Sequence, residues 1–385
     1  MWIGACLSTI GTWMQSQAQS WLVFDMSKDP KMLGLDAFLG QIPIFLFTLV
    51  GGVVADRIDR RHILLASQFV QMGCAIFLAL LFTFEVVQIW HILAISFVVG
   101  TAQAFGGPAY QSLIPTLVDK PDLPNAIALN SIQFNLGRMI GPALGLLAFT
   151  QLGAAWCFYF NGLSYVAVII TLWIVKSRFK PKPSTESMVE SMKKGFIFIQ
   201  GQASMTALIV IAFLMTMLGI PLLTYLPVFA KEVFRQGAGG YTILLEVTGA
   251  GSIVGALLVA TFHQGRNKWQ LALVNLIALG GMIVGFALSK TLIVSYLLLF
   301  VCSAALISTF ALVSSLVQEI VTDDMRGRVM SVYNMAFRGG MPFGSLISGF
   351  YVKPYGAPLV VAVNGVLLAL MGLYFLVIRK KPVAV

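Results

Sequence analysis

Charge is scarce in this sequence. Only 10% of its 385 residues are Asp, Glu, Lys or Arg, against about a quarter in a soluble domain. With 58% hydrophobic residues, the chain reads as a polytopic membrane protein. Strict apolar–polar alternation is also missing, which excludes a transmembrane β-barrel. Cysteine is rare: Cys6, Cys74, Cys157 and Cys302 each lie in an apolar run, so no disulfide framework is expected. The three histidines, His62, His91 and His263, stand far apart and give no metal-ligand spacing. No phosphate-binding glycine loop occurs, which argues against nucleotide-driven chemistry. No nucleophile–base constellation is assembled either, so neither an enzyme nor a cofactor is expected. The net charge of +10 forms no basic face; it sits in short stretches between apolar runs, as the positive-inside rule describes, and implies no nucleic-acid partner. Trp2 already opens the first run, which reads as a span and not as a cleavable leader.

What the chain does have is long apolar runs. A bilayer core needs roughly 20 apolar residues per helix. Twelve runs meet that need, over 2–24, 34–55, 63–84, 89–117, 126–150, 153–175, 204–230, 239–262, 269–289, 291–321, 329–351 and 356–378. The expected fold is therefore all-α and integral to the membrane. One polar stretch, 176–203, separates a six-helix bundle over 1–175 from a second over 204–385. The later half of that stretch, roughly 185–200, reads as an amphipathic surface helix. With both termini on the cytoplasmic side, inner loops carry seventeen Lys and Arg and outer loops six, which sets the expected orientation.

The halves repeat at a constant shift of 203. Phe134, Gly137 and Gly141 meet Phe337, Gly340 and Gly344; Gly153 and Ala154 meet Gly356 and Ala357; Asn161 and Gly162 meet Asn364 and Gly365. Parallel six-helix repeats are a transporter architecture, with a site near mid-membrane between the repeats.

Between the second and third runs lies GGVVADRIDRRHI, 51–63. Gly51 and Gly52 permit close approach to another helix. Asp56, Arg57, Arg60 and Arg61 form a short charged loop. Its expected partners are acids at neighbouring helix ends, Asp119, Glu319 and Asp323, which would make it a latch on the inner side; alternatively it serves only to fix topology.

These residues carry a resemblance. Gly52-Val-Val-Ala-Asp56-Arg57-Ile-Asp59-Arg60-Arg61 resembles the loop 2–3 signature of the major facilitator superfamily, G-x-L-A-D-R-x-G-R-R, with Asp59 in place of Gly. GTWMQSQAQSWLV (11–23), LPNAIALNSIQFNLGRMIGPALG (123–145), GAAWCFYFNGLSY (153–165) and DDMRGRVMSVYNMAF (323–337) look like the branch that includes enterobactin exporters and transmembrane secretion effectors. The second-half loop HQGRNKW (263–269) keeps only Arg266 of the signature, which implies an asymmetric latch. Gly137, Gly141, Pro142 and Gly145 are similar to the superfamily's antiporter motif. They form a small-residue stripe suited to crossing a helix of the opposite half, and the motif implies proton-driven export. The resemblance further implies a bacterial inner-membrane protein, acting as a monomer on a small amphipathic molecule.

Polar residues inside spans are functional candidates, because each costs about 2.5–3.5 kcal/mol at a helix centre on insertion scales. Glu246 is the leading proton carrier, with Asp25 and Asp36 at the outer mouth behind it. Arg138 and Arg338 are candidates for binding acidic or hydroxyl-rich cargo. Gln15 and Gln19 share one face of the first helix, and Trp13, Gln17 and Trp21 another. Trp13, Gln15, Gln19, Gln103, Tyr110, Gln111, Tyr225 and Asn334 complete the substrate-binding candidates, while Asn161 and Asn364 read as interhelix ties. The rivals to an exporter are a lipid or lysolipid flippase of the same fold and a non-transporting receptor or scaffold.

Overall fold

In a computed structural model, residues 1–174, 188–262 and 267–378 are described, apart from a few helical side chains, that of Asp56 among them. Linker residues 176–187, Arg266 and the basic residues 379–381 therefore lie outside the description. The chain runs α1 (Trp2–Ser27), α2 (Pro30–Arg57), α3 (Arg60–Thr83), α4 (Ile89–Leu117), α5 (Leu123–Gln151), α6 (Ala154–Ile174), α7 (Met188–Gln200), α8 (Ala203–Thr224), the single turn α9 (Leu226–Val228), α10 (Ala238–Phe262), α11 (Lys268–Leu288), α12 (Leu292–Ile320), α13 (Arg326–Tyr355) and α14 (Ala357–Ile378). Twelve of these, all but α7 and α9, are 21 residues or longer. This is an all-α integral membrane protein.

Nine of the long helices are apolar enough, among the described residues, to cross a bilayer on composition alone. The three that are not, α1, α5 and α13, carry amides and arginines: Gln15, Gln17 and Gln19; Gln133, Asn135 and Arg138; Asn334 and Arg338. Polar groups concentrated on three helices mark those helices as the ones with work to do besides spanning.

Local chemistry explains several boundaries. Pro30 opens α2, where its missing N–H costs nothing. Asp59 caps α3 by accepting from the Arg61 N–H at 2.9 Å. Gly153 and Gly356, the matched pair of the repeat, adopt φ +96° and +80° in the turns before α6 and α14, a conformation that only glycine takes without strain.

Two compact units result, Met1–Lys28 with Leu39–Thr185, and Asp29–Phe38 with Glu186–Val385. In the first, α1 packs on α5 and α6, and α3 on α4 and α6. In the second, α8 packs on α13, and α11 on α12 and α14. The repeat seen in sequence is thus a repeat of packing.

The glycine stripe departs from expectation. It lies against α1 of its own unit. A Cβ at Gly137 would meet the Thr9 side chain at 2.5 Å, one at Gly141 the Trp13 Cβ at 2.6 Å, and one at Gly145 the Gln17 Oε1 at 2.6 Å. The second unit does the same 203 residues later, where Gly340 and Gly344 abut Phe213, Thr216 and Met217 of α8. Small residues let these backbones approach closely, where dispersion replaces a hydrophobic drive that lipid cannot supply.

Candidate functional site

The polar side chains of the first unit sort themselves by helix face. On the α5 side of α1, the Arg138 guanidinium stands 5.9 Å from the Trp13 ring. Trp13 in turn meets Phe134 edge to face at 5.9 Å. Phe134 and Arg138 are one turn apart on α5, so both reach the same indole. Gly141, having no side chain, leaves room for Trp13 to lie there. Arg138 is half-buried, and among the described residues no acid pairs with it. A guanidinium keeps its charge under nearly all conditions. The pair therefore offers a cation, a flat apolar face and forked donors within a span.

Elsewhere α1 is committed to structure. Asn161 on α6 donates to the Gln15 Oε1 at 2.6 Å, and Gln19 donates to Ser96 on α4 at 2.9 Å. Asn161 is thus the interhelix tie expected, and buried Gln15 is its partner instead of a cavity group. Asn364 on α14 likewise donates to Ser348 on α13 at 3.1 Å.

A buried network that sequence reasoning missed runs through Gln71 on α3. Gln71 donates to the Ser67 Oγ at 3.0 Å and accepts from Tyr165 at 3.3 Å and from Gln103 at 3.4 Å. Gln133, also missed, donates to the Ala5 carbonyl at 3.2 Å and to the Thr9 hydroxyl, and accepts from Tyr110 at 2.9 Å. Gln103 and Tyr110 thus belong to interhelix networks. The available signal was spacing: Gln133 heads the stripe 133, 137, 141, 145, and Ser67 and Gln71 are one turn apart. Gln111 is exposed.

In the second unit, Asn334 and Arg338 are exposed one turn apart on a common face of α13. Glu246 is half-buried on α10, and no cation among the described residues pairs with it. Tyr225 is a correction: it is fully buried and donates to the Ser345 carbonyl at 2.6 Å, so it is a structural clip. Asp36 is half-buried on α2. Asp25 lies in the last turn of α1 and pairs with Lys28 at 2.8 Å in an exposed contact.

Two arginines of the charged loop bond backbone carbonyls of neighbouring helices. Arg60 donates to the Ser112 carbonyl at 2.7 Å and to Ala55 at 3.3 Å, and Arg61 to the Trp173 carbonyl at 2.8 Å. These are the carbonyl-rich ends of α2, α4 and α6, where cations are favoured. Glu319 is engaged by Lys268 and Asp323 by Arg326 at 2.6 Å. Lys268 also donates to Ser315 at 3.1 Å, the repeat counterpart of Ser112. So the second unit retains a loop cation at this place despite its degenerate loop. Close approach at the end of α2 is made by Gly51, whose Cβ would sit 3.1 Å from the Phe105 Cα; around Gly52 nothing comes within 4 Å. Arg57 and Asp119 are exposed, and the Asp56 side chain lies outside the described residues.

One further feature of the first unit is an open apolar groove of about 640 Å³ between α1, α5 and α6, lined by Leu7, Met14, Leu144, Leu147 and Leu163 among others.

Comparison with known proteins follows the same lines. A family model described as transmembrane secretion effector matches residues 1–384. The staphyloferrin A transporter of Staphylococcus aureus is 23% identical over 379 residues, covering 97% of this chain and 94% of that protein. Macrolide efflux protein A of Streptococcus pyogenes is 20% identical over 365 residues, covering 92% and 89%. Among solved structures, a bacterial homologue of the human lysosomal transporter Spinster, in an inward-facing and occupied conformation, superposes with TM-score 0.77 at 14% identity, covering 99% of this chain and 96% of that one.

Proposed function

The chain belongs to the transmembrane secretion effector family of the major facilitator superfamily, and from that premise we propose that it exports a small amphipathic organic molecule, siderophore-like or drug-like, by proton-driven alternating access. The observation that carries this reading is Arg138 over Trp13. A guanidinium that no acid among the described residues pairs with, set beside an indole, suits a ligand that joins an acidic or hydroxyl-rich part to an aromatic or apolar body. Arg338 and Asn334 add a second cation and amide. Glu246 is the proton carrier in this scheme: it is an acid within a span, and no cation among the described residues pairs with it. Asp36 and Asp25 stand behind it. The arginines of the 51–62 loop hold helix ends together on the cytoplasmic side of a bacterial inner membrane. The relatives' printed cargoes, staphyloferrin A and macrolides, fit this chemical class.

Transport in proteoliposomes tests the reading. Efflux is expected to stop when the pH gradient is collapsed, and Glu246→Gln to transport without coupling to it. Efflux indifferent to the gradient overturns proton drive; coupled transport by Glu246→Gln removes that residue. A second reading, movement of a lipid or lysolipid, is favoured by the open groove between α1, α5 and α6. Lysolipid offered as cargo in the same vesicles separates the two.

A further inference from the structure

The short helix α7 faces two ways. Gly195 is buried against α13, where its Cβ would stand 3.0 Å from the Arg328 carbonyl, and Ile199 is buried with 3% exposure. On the opposite side Lys193, Phe196, Ile197 and Gln200 are exposed, Phe196 at 53% and Ile197 at 57%. At 100° per residue these four fall within one sector of the helix. Lys194 lies at its edge and pairs with Glu190 at 3.5 Å. Two bulky apolar side chains flanking a lysine are poorly placed in water and equally poorly placed in hydrocarbon.

Position resolves the conflict. Only Gly201 and Gln202 separate α7 from α8, a helix that crosses the membrane from Ala203. The helix is therefore held at the boundary between lipid and water. There, Phe196 and Ile197 reach the acyl region while Lys193 and Lys194 stay among headgroups. We propose that α7 is an interfacial helix whose outward face binds anionic phospholipid headgroups. The charge of Lys193 and Lys194 selects anionic over zwitterionic lipid. Charge attraction at such a surface gives about fivefold in affinity per lysine. Because Lys194 already shares its charge with Glu190, a preference near fivefold is expected for the pair.

The experiment uses the full chain in proteoliposomes. Phe196→Trp is compared with the parent protein, whose seven tryptophans supply the background emission. Quenching of the added signal by dibrominated phosphatidylglycerol is expected to exceed that by dibrominated phosphatidylcholine. Adding Lys193→Gln and Lys194→Gln should erase the difference. Native mass spectrometry of the full chain with Phe196 in place, in detergent with each lipid titrated in, should show the same preference and its loss in the double lysine variant. Equal quenching by both lipids overturns the proposal. So does absence of quenching by either, which would place the face in water or beneath protein, such as a second copy. Equal lipid retention by parent and double variant overturns it as well.

Discussion

Lys353, near the end of α13, donates at 2.7 Å to Asp29, which lies 324 residues earlier at the start of α2. The same carboxylate accepts from the Lys31 backbone at 3.0 Å, so one acid both caps a helix and ties it to another. Burial opposes ionisation of Asp29, but the Lys353 hydrogen bond, the Lys31 N–H and the two nearby charges outweigh it and hold the carboxyl below its ordinary range.

That shift fixes a pH dependence. A depressed carboxyl stabilises fully above its unfolded pKa, near 3.9, and the benefit disappears as pH falls through the lower folded value. Lys353 is largely exposed, so screening limits the pair to about 0.2–1 kcal/mol. Lys353→Met should lower unfolding stability by that amount at pH 7 and by less at pH 2. Thermal unfolding in detergent reads both; an equal loss at the two pH values would exclude the ion pair as its source.

Adjacent glycines on α11 should behave oppositely. A Cβ at Gly280 meets the Gly365 carbonyl at 2.5 Å and the Ala369 nitrogen at 2.6 Å, whereas one at Gly281 meets nothing within 4 Å. Gly280→Ala forces α11 from α14 and should cost about 1–3 kcal/mol. Gly281→Ala, with open space around the new methyl, should gain about 0.4–1 kcal/mol from helix propensity. Chemical unfolding of the two variants side by side decides whether packing or helix propensity governs.

Arg138→Lys keeps the charge and loses the planar face over Trp13. If stacking and forked donors hold cargo, the apparent KM should rise about fivefold, the equivalent of roughly 1 kcal/mol, with a smaller change in maximal rate. Arg138→Gln should lose more. Transport titrations in vesicles measure both, and an unchanged KM in Arg138→Lys would assign the residue to structure alone.

Tyr225→Phe makes the contrary case. Its hydroxyl is bonded to the Ser345 carbonyl in a fully buried place, so the variant should lose about 0.6 kcal/mol of stability and keep its KM. A KM change with unaltered unfolding would return Tyr225 to the cargo path.

How far the sequence could be read depended on whether a residue's partner leaves its own trace in sequence. Gly153 and Gly356 announce themselves, because a positive φ has few other occupants, and the shift of 203 that joins them correctly paired α5 with α13. Amides do not announce themselves. A glutamine in a span is equally suited to face cargo or to bond another helix; Gln15 and Gln103 bond another helix here, as does the Tyr110 hydroxyl. Arginines whose partners are carbonyls are harder still, since every residue has a carbonyl; Ser112 and Trp173 gave no sign that Arg60 and Arg61 end on them. Gly51 and Gly52 look alike in a string, and so do Gly280 and Gly281; only the neighbouring backbone distinguishes each pair.

The segment Asp29–Phe38 packs with residues far later in the chain: Gly34 abuts Ser345 and the Tyr225 hydroxyl, and Lys31 lies over Phe350 at 4.4 Å. At a synthesis rate of about 5–20 residues per second, roughly 16–65 s separate the emergence of Asp29 from that of Lys353. Through that interval the start of α2 lacks these partners, and biogenesis must hold it, in lipid or on the insertion machinery, until Ser345, Phe350 and Lys353 have been made.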